Sequence, residues 1–159
     1  MSVNANEFVR SKNLSQIKVT KELQDYANGG RGITIAVADT GINPSHSEFR
    51  GRVSALSTCV ATNNCAGGFL DTHFHGTLVA SIAAGAENNL GSVGVAPLAS
   101  IMAIKIAQPN SSAFNTDINN ALVTAANRGA QVVNLSYGSF FAPSVTPHLQ
   151  ALTGHWLQL

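Results

Sequence analysis

The run Ile33-Thr34-Ile35-Ala36-Val37-Ala38 constrains the fold more than any other segment of this chain. It is continuously apolar and rich in β-branched residues, with glycine before it and the turn Thr40-Gly41-Ile42-Asn43-Pro44 after it. A strand with one wet face alternates apolar and polar residues, whereas an unbroken apolar run reads as a strand buried on both faces. Ser100 to Ala107 and Gln131 to Ser136 read the same way. Two stretches between them have helical spacing. His75 to Ala84 places Leu78, Val79, Ile82 and Ala83 on one expected inner face and stops at Gly85. A second helix opens at Thr116 and Asp117, carries Ile118, Ala121, Leu122, Ala125 and Ala126, and ends at Gly129. Strands alternating with such helices predict an α/β fold, a doubly wound parallel sheet covered on both faces. A short helix from Thr20 to Asn28 and a weaker strand from Val53 to Thr58 complete the pattern.

The 159 residues suffice for one core, and 45% apolar against 11% charged residues favour a packed domain over disorder. A net charge of +1 predicts no nucleic-acid partner and no attraction to an anionic membrane. No apolar run approaches the ~20 residues of a membrane span. Residues 1 to about 14 are polar and aperiodic, and read as an arm on the surface. The opening Met1 to Phe8 lacks the regions of a signal peptide, so the chain as written is expected in the cytoplasm. As part of a longer precursor it is expected to be secreted or in the cell envelope. Cys59 and Cys65 share a polar loop from Thr58 to Gly68. Their spacing suits a small disulfide loop in an exported protein, or two free thiols in a reducing compartment. Two cysteines alone do not complete a four-ligand structural zinc site, and His73 and His75 nearby are not read as further ligands.

Asp39 follows the first buried strand, at the end where open parallel sheets place their ligands. A buried carboxylate there needs a donor, and an imidazole N–H is a good one. Asp-Thr-Gly is also a common turn sequence, and aspartic proteases use it in an all-β fold, which the helical patterns here oppose. His75 opens a helix and is followed by Gly76, which permits close backbone approach. His73 lacks the Gly-Thr that follows His75 and reads as a loop residue.

Four motifs stand in order: Asp39-Thr-Gly after its strand, Asp71-Thr-His-Phe-His75-Gly-Thr, Gly94-Val-Ala-Pro97, and Val133-Asn-Leu-Ser136-Tyr-Gly138. Together they resemble the subtilases, the subtilisin-like serine endopeptidases, over roughly residues 30–140. The resemblance implies Asp39 as the triad acid and His75 as the general base, in the family's chain order of acid, then histidine, then serine. It implies that Ser136, Tyr137 and Gly138 pair with the backbone of a polypeptide substrate, and that the chemistry uses no cofactor. Ala86 to Gly94 resembles the family's calcium loop. Asn88 would supply a side-chain oxygen, Ala86, Leu90 and Ser92 carbonyls, and Glu48 a carboxylate for a structural Ca2+. The Phe8-Val9-Arg10 opening and the cysteine-bearing insertion are most similar to bacterial secreted or autotransported subtilases. Leu78 stands where the family often has a second histidine.

No Gly-Thr-Ser-Met-like segment for the nucleophile occurs in the sequence. The expected organisation is an arm and short helix over 1–30, a partial, truncated subtilase domain over 31–142, and an atypical tail over 143–159. In that tail Leu149, Leu152 and Trp156 would line one face of a final short helix. Two functions follow from this reading. One is a serine endopeptidase of which this chain carries only Asp39 and His75. The other is an inactive fragment or pseudoprotease-like binding module that keeps a groove at Ser136 to Gly138. The strand Val132 to Leu135 would expose an edge prone to self-association.

Overall fold

The computed structural model of the chain describes residues 5–62, 65–107 and 113–136. In chain order its elements are α1 (Ala5–Arg10), α2 (Lys12–Gln16), α3 (Lys21–Tyr26), β1 (Thr34–Asp39), β2 (Thr58–Cys59), α4 (His75–Ala84), β3 (Ser100–Lys105), α5 (Asn115–Asn127) and β4 (Val132–Leu135). The strands form one parallel sheet in the order β2-β3-β1-β4. The most apolar run thus becomes an interior strand, with Thr34 to Asp39 in register with Ser100 to Lys105 on one side. On its other side Ile35 to Ala38 pairs with Val132 to Leu135.

Successive side chains of a strand point to opposite faces, and each face of this sheet carries its own core. Ala36, Ala38, Met102 and Ile104 pack with Ile118, Ala121, Leu122 and Ala125 of α5. Ile35, Val37, Ile101 and Ala103 pack with Ala80 and Ala84 of α4 and with Ile42 and Phe49. The doubly wound α/β reading therefore holds. The expected strand at 53–58 shrinks to β2, and Val53 makes only an isolated bridge to Ile101. Ala126, expected inward, is exposed.

Two further expectations are corrected. The inner face of α4 is made of small residues, with Gly76, Ala80 and Ala84 buried and Val79 and Ala83 packed beside them. Leu78 and Ile82 instead point outward, 53% and 56% exposed. Small side chains let the helix approach the sheet closely, so the larger ones are turned away, and the helix is apolar on both sides. Residues 7–14 are not a surface arm. Glu7, Ser11 and Leu14 are buried, because Glu7 accepts the backbone N–H groups of Asn89 and Gly91 and the Ser11 hydroxyl accepts that of Val93.

Among the described residues β4 has one strand partner, and Val132 is 45% exposed. Cys59 and Cys65 are disulfide-bonded, and Thr62 within their loop donates its N–H and hydroxyl to Asp117 in the first turn of α5. No helix of the described residues is long and apolar enough to cross a membrane.

Candidate active site

The site forms where β1 stops. Asp39 ends the interior strand and is buried at 5% exposure. The chain turns at Gly41, whose φ of +109° lies in the left-handed region open to glycine. Opposite that turn stands Gly76, in the first turn of α4. A Cβ at Gly76 would lie 2.1 Å from the Gly41 carbonyl oxygen, so any other residue would push helix and turn apart. This contact brings the start of α4 against the end of β1, although 36 residues separate Asp39 from His75.

The result is a carboxylate–imidazole pair. His75 Nδ1 lies 2.8 Å from Asp39 Oδ1 and 3.0 Å from Oδ2. The Thr40 N–H donates to the same Oδ1 at 2.7 Å. With Nδ1 held by the carboxylate, the ring is fixed in the tautomer that leaves Nε2 able to accept a proton. The imidazole is 45% exposed, so it meets buried Asp39 through Nδ1 while much of the ring stays open to solvent. Chemically, a pair of this kind can take up a proton at Nε2 and hold the resulting cation beside the carboxylate.

A second carboxylate, overlooked in the sequence reading, organises the corner. Asp71 accepts the Thr40 hydroxyl and the His73 and Phe74 N–H groups at Oδ1, and the Thr77 N–H and hydroxyl at Oδ2. Burial opposes its ionisation, but the Thr77 hydroxyl, the His73 and Thr77 N–H groups and the Thr40 hydroxyl outweigh burial and lower its pKa. Lys105, fully buried at the end of β3, donates to the Leu70 carbonyl and the Thr72 hydroxyl. Burial lowers its pKa, against the raising effect of the Asp71 charge. The sequence did hold a signal: a lysine inside Ile-Met-Ala-Ile-Lys-Ile is a buried cation that needs an anion nearby. His73 lies in the loop, stacked on Phe74, and its Nδ1 has no partner among the described residues.

Of the other expected site residues, Ser136 follows β4, at the same end of the sheet as Asp39. It is exposed, and its hydroxyl accepts the Asn134 side-chain amide at 2.9 Å. Tyr137 and Gly138 lie outside the described residues. Glu48 is buried, and its Oε2 has no hydrogen-bond partner among them. Burial raises its pKa, as does the charge of Glu7, against smaller lowering from Asn88, His46 and the Ala86 N–H. The loop after α4 closes over this carboxylate. A Cβ at Gly91 would sit 2.8 Å from Glu48 Oε1, and the Asn88 side-chain oxygen accepts the Leu90 N–H. Among the described residues no three His, Cys, Asp or Glu side chains converge as a metal cluster. Any cation here must therefore draw mainly on amide and carbonyl oxygens.

The model of the subtilase family matches residues 30–155. The chain belongs to the subtilase family. Its relatives include a thermophilic serine proteinase of Bacillus sp. (strain AK1), 38% identical over 72% of this chain and 28% of that protein. Thermitase of Thermoactinomyces vulgaris is 36% identical over 69% of this chain and 38% of that protein. Among solved structures, fervidolysin from Fervidobacterium pennivorans, described as a keratinolytic enzyme related to subtilisin, superposes with a TM-score of 0.73 at 28% identity. That match covers 89% of this chain and 22% of fervidolysin. This subtilase chain thus spans well under half the length of the relatives it matches, and its kinship is with the subtilisin-type serine peptidases.

Proposed function

We propose that this chain is the acid–base part of a subtilase peptidase site. Asp39 orients the imidazole and stabilises its cation, and His75 takes the proton of a serine hydroxyl as that oxygen attacks a peptide carbonyl, then passes it to the leaving amine. The observation behind this reading is the pairing of His75 Nδ1 with a buried Asp39 while the ring stays 45% exposed. The sequence contains no nucleophile segment, so the chain by itself should not hydrolyse peptides. Loss of the nucleophile costs on the order of a millionfold in turnover, a value known for subtilisin itself rather than deduced for this chain. A peptide substrate would lie along Ser136 to Gly138, adding to the edge of β4 that has no strand partner among the described residues. The test is a fluorogenic peptide assay on the purified chain. Turnover that disappears in both Asp39→Ala and His75→Ala would refute the inactivity of the chain alone. In proton NMR, the His75 Nδ1–H should give a far-downfield exchangeable resonance that Asp39→Asn removes, and its absence from the unaltered chain would refute the pairing.

A structural calcium belongs to the same proposal. The Oε2 of buried Glu48, without a hydrogen-bond partner among the described residues, fits a hard cation. Glu48 and Asn88, with the carbonyls of Ala86, Leu90 and Ser92, would hold it. Its charge would offset that of Glu48 and fix the 86–92 loop. The Cys59–Cys65 bond favours an oxidising compartment. Mass spectrometry of native material showing two free thiols would count against export. The edge of β4 and the outward Leu78 and Ile82 favour self-association. Sedimentation showing a monomer at all concentrations would refute that.

A further inference from the structure

We propose that Asp71 is the positioning residue of the Asp39–His75 pair, one carboxylate that ties together the segments on which the two side chains stand. The inference rests on reading that pair as the triad acid and base.

Thr40 directly follows Asp39, and Gly76 directly follows His75. The Gly76 N–H donates to the Thr40 hydroxyl at 3.0 Å, and that hydroxyl donates onward to Asp71 Oδ1 at 3.0 Å. The backbone neighbours of the pair are thus joined to each other through one acceptor. Phe74, the residue before His75, is held at φ +84° and ψ −27°, a conformation rare for a bulky side chain. That kink turns the chain into α4 with His75 facing β1. Asp71 holds the approach to it, accepting the Phe74 N–H at 3.0 Å and the His73 N–H at 2.9 Å. The other oxygen, Oδ2, accepts from Thr77 and so fixes the first turn of the helix itself. Lys105 anchors the flanking Leu70 and Thr72 from β3, tying this segment to the sheet.

All five groups that meet Asp71 are donors, and only an ionised carboxylate offers acceptors on both oxygens. An asparagine there would turn an NH2 group towards N–H or O–H donors. The kink at Phe74 would then relax, and His75 would leave Asp39 while the sheet stayed folded.

The experiment is proton NMR of the full chain, following the downfield Nδ1–H resonance of His75, with far-UV circular dichroism as the check on folding. In folded Asp71→Asn the paired imidazole should fall by about tenfold or more, the loss equivalent to one charge-assisted hydrogen bond. Thr40→Val and Thr77→Val should each weaken the resonance in part. A structural role alone would lower the melting temperature and leave the resonance of the folded protein unchanged. That result in Asp71→Asn overturns the proposal. Should Asp71→Asn fail to fold, an unchanged resonance in folded Thr40→Val and Thr77→Val overturns it instead. A wild-type chain without the resonance refutes the pair itself, and so separates failure of the functional reading from failure of the positioning role.

Discussion

Asp71 and Glu48 are carboxylates drawn out of water in one small molecule, and their surroundings push them in opposite directions. Asp71 is half-buried and meets five donors, so burial loses to hydrogen bonding and its pKa falls. Glu48 is buried beside Glu7, with one oxygen unmatched among the described residues, so burial and like charge win and its pKa rises. The number of N–H and O–H groups aimed at a carboxylate, more than its depth, decides whether the fold tolerates its charge. The acid–base corner is satisfied by the chain's own polar groups. The loop over Glu48 has a charge that a bound cation would offset.

The largest expected effect breaks the satisfied side. Asp71→Ala strands the five donors that meet this carboxylate, and should cost about 3 kcal/mol or more in a denaturant melt. A loss comparable to an ordinary surface substitution would show that the five hydrogen bonds do not act as a network.

The next effect acts on the other side. Calcium at about a hundredfold excess over its dissociation constant should stabilise the chain by ~2.7 kcal/mol, and Glu48→Gln should abolish that gain. Without calcium, Glu48→Gln should melt at or above the parent, because the substitution removes an opposed buried charge. A calcium-free Glu48→Gln that melts well below the parent would mean that Glu48 has a protein partner.

Reduction of Cys59–Cys65 should cost ~2 kcal/mol through the loop it closes. Neither carboxylate belongs to that loop, so the calcium response and the His75 resonance should survive reduction. Their loss would show that the disulfide loop and its bond to Asp117 couple to both.

The smallest effect is a difference in pH slope, of opposite sign at the two carboxylates. Asp71, with a lowered folded-state pKa, contributes stability above the ordinary carboxylate range and loses it as pH falls through its folded-state value. Glu48, with a raised one, contributes stability below that range and loses it as pH rises through its folded-state value. In calcium-free melts, Asp71→Asn should flatten the acid limb and Glu48→Gln the limb nearer neutrality. Equal slopes in both variants would refute the contrast.

The interior strand, its two parallel neighbours and both long helices were legible in the chain, because burial on two faces writes an unbroken apolar run and helix stops are local glycines. Asp39 and His75 were legible for a related reason, since each sits in a short motif at the edge of such an element. The faces of α4 were misread. Its spacing marks Leu78 and Ile82 as apolar, but only the close approach of Gly76 to the Gly41 carbonyl decides that they point outward. The polar opening was misread as an arm, since Glu7 is buried by donors 82 and 84 residues away. Asp71 opens the motif that carries His75, yet one of its partners, Thr40, lies 31 residues back. What this sequence determined by itself is which segments are buried and which two residues carry the Asp-Thr-Gly and His-Gly-Thr motifs, because periodicity and turn chemistry act between near neighbours. What only the tertiary structure decided is which donors meet which carboxylates. Hydrogen bonding acts over about 3 Å, and sequence separation says nothing about distances of that kind.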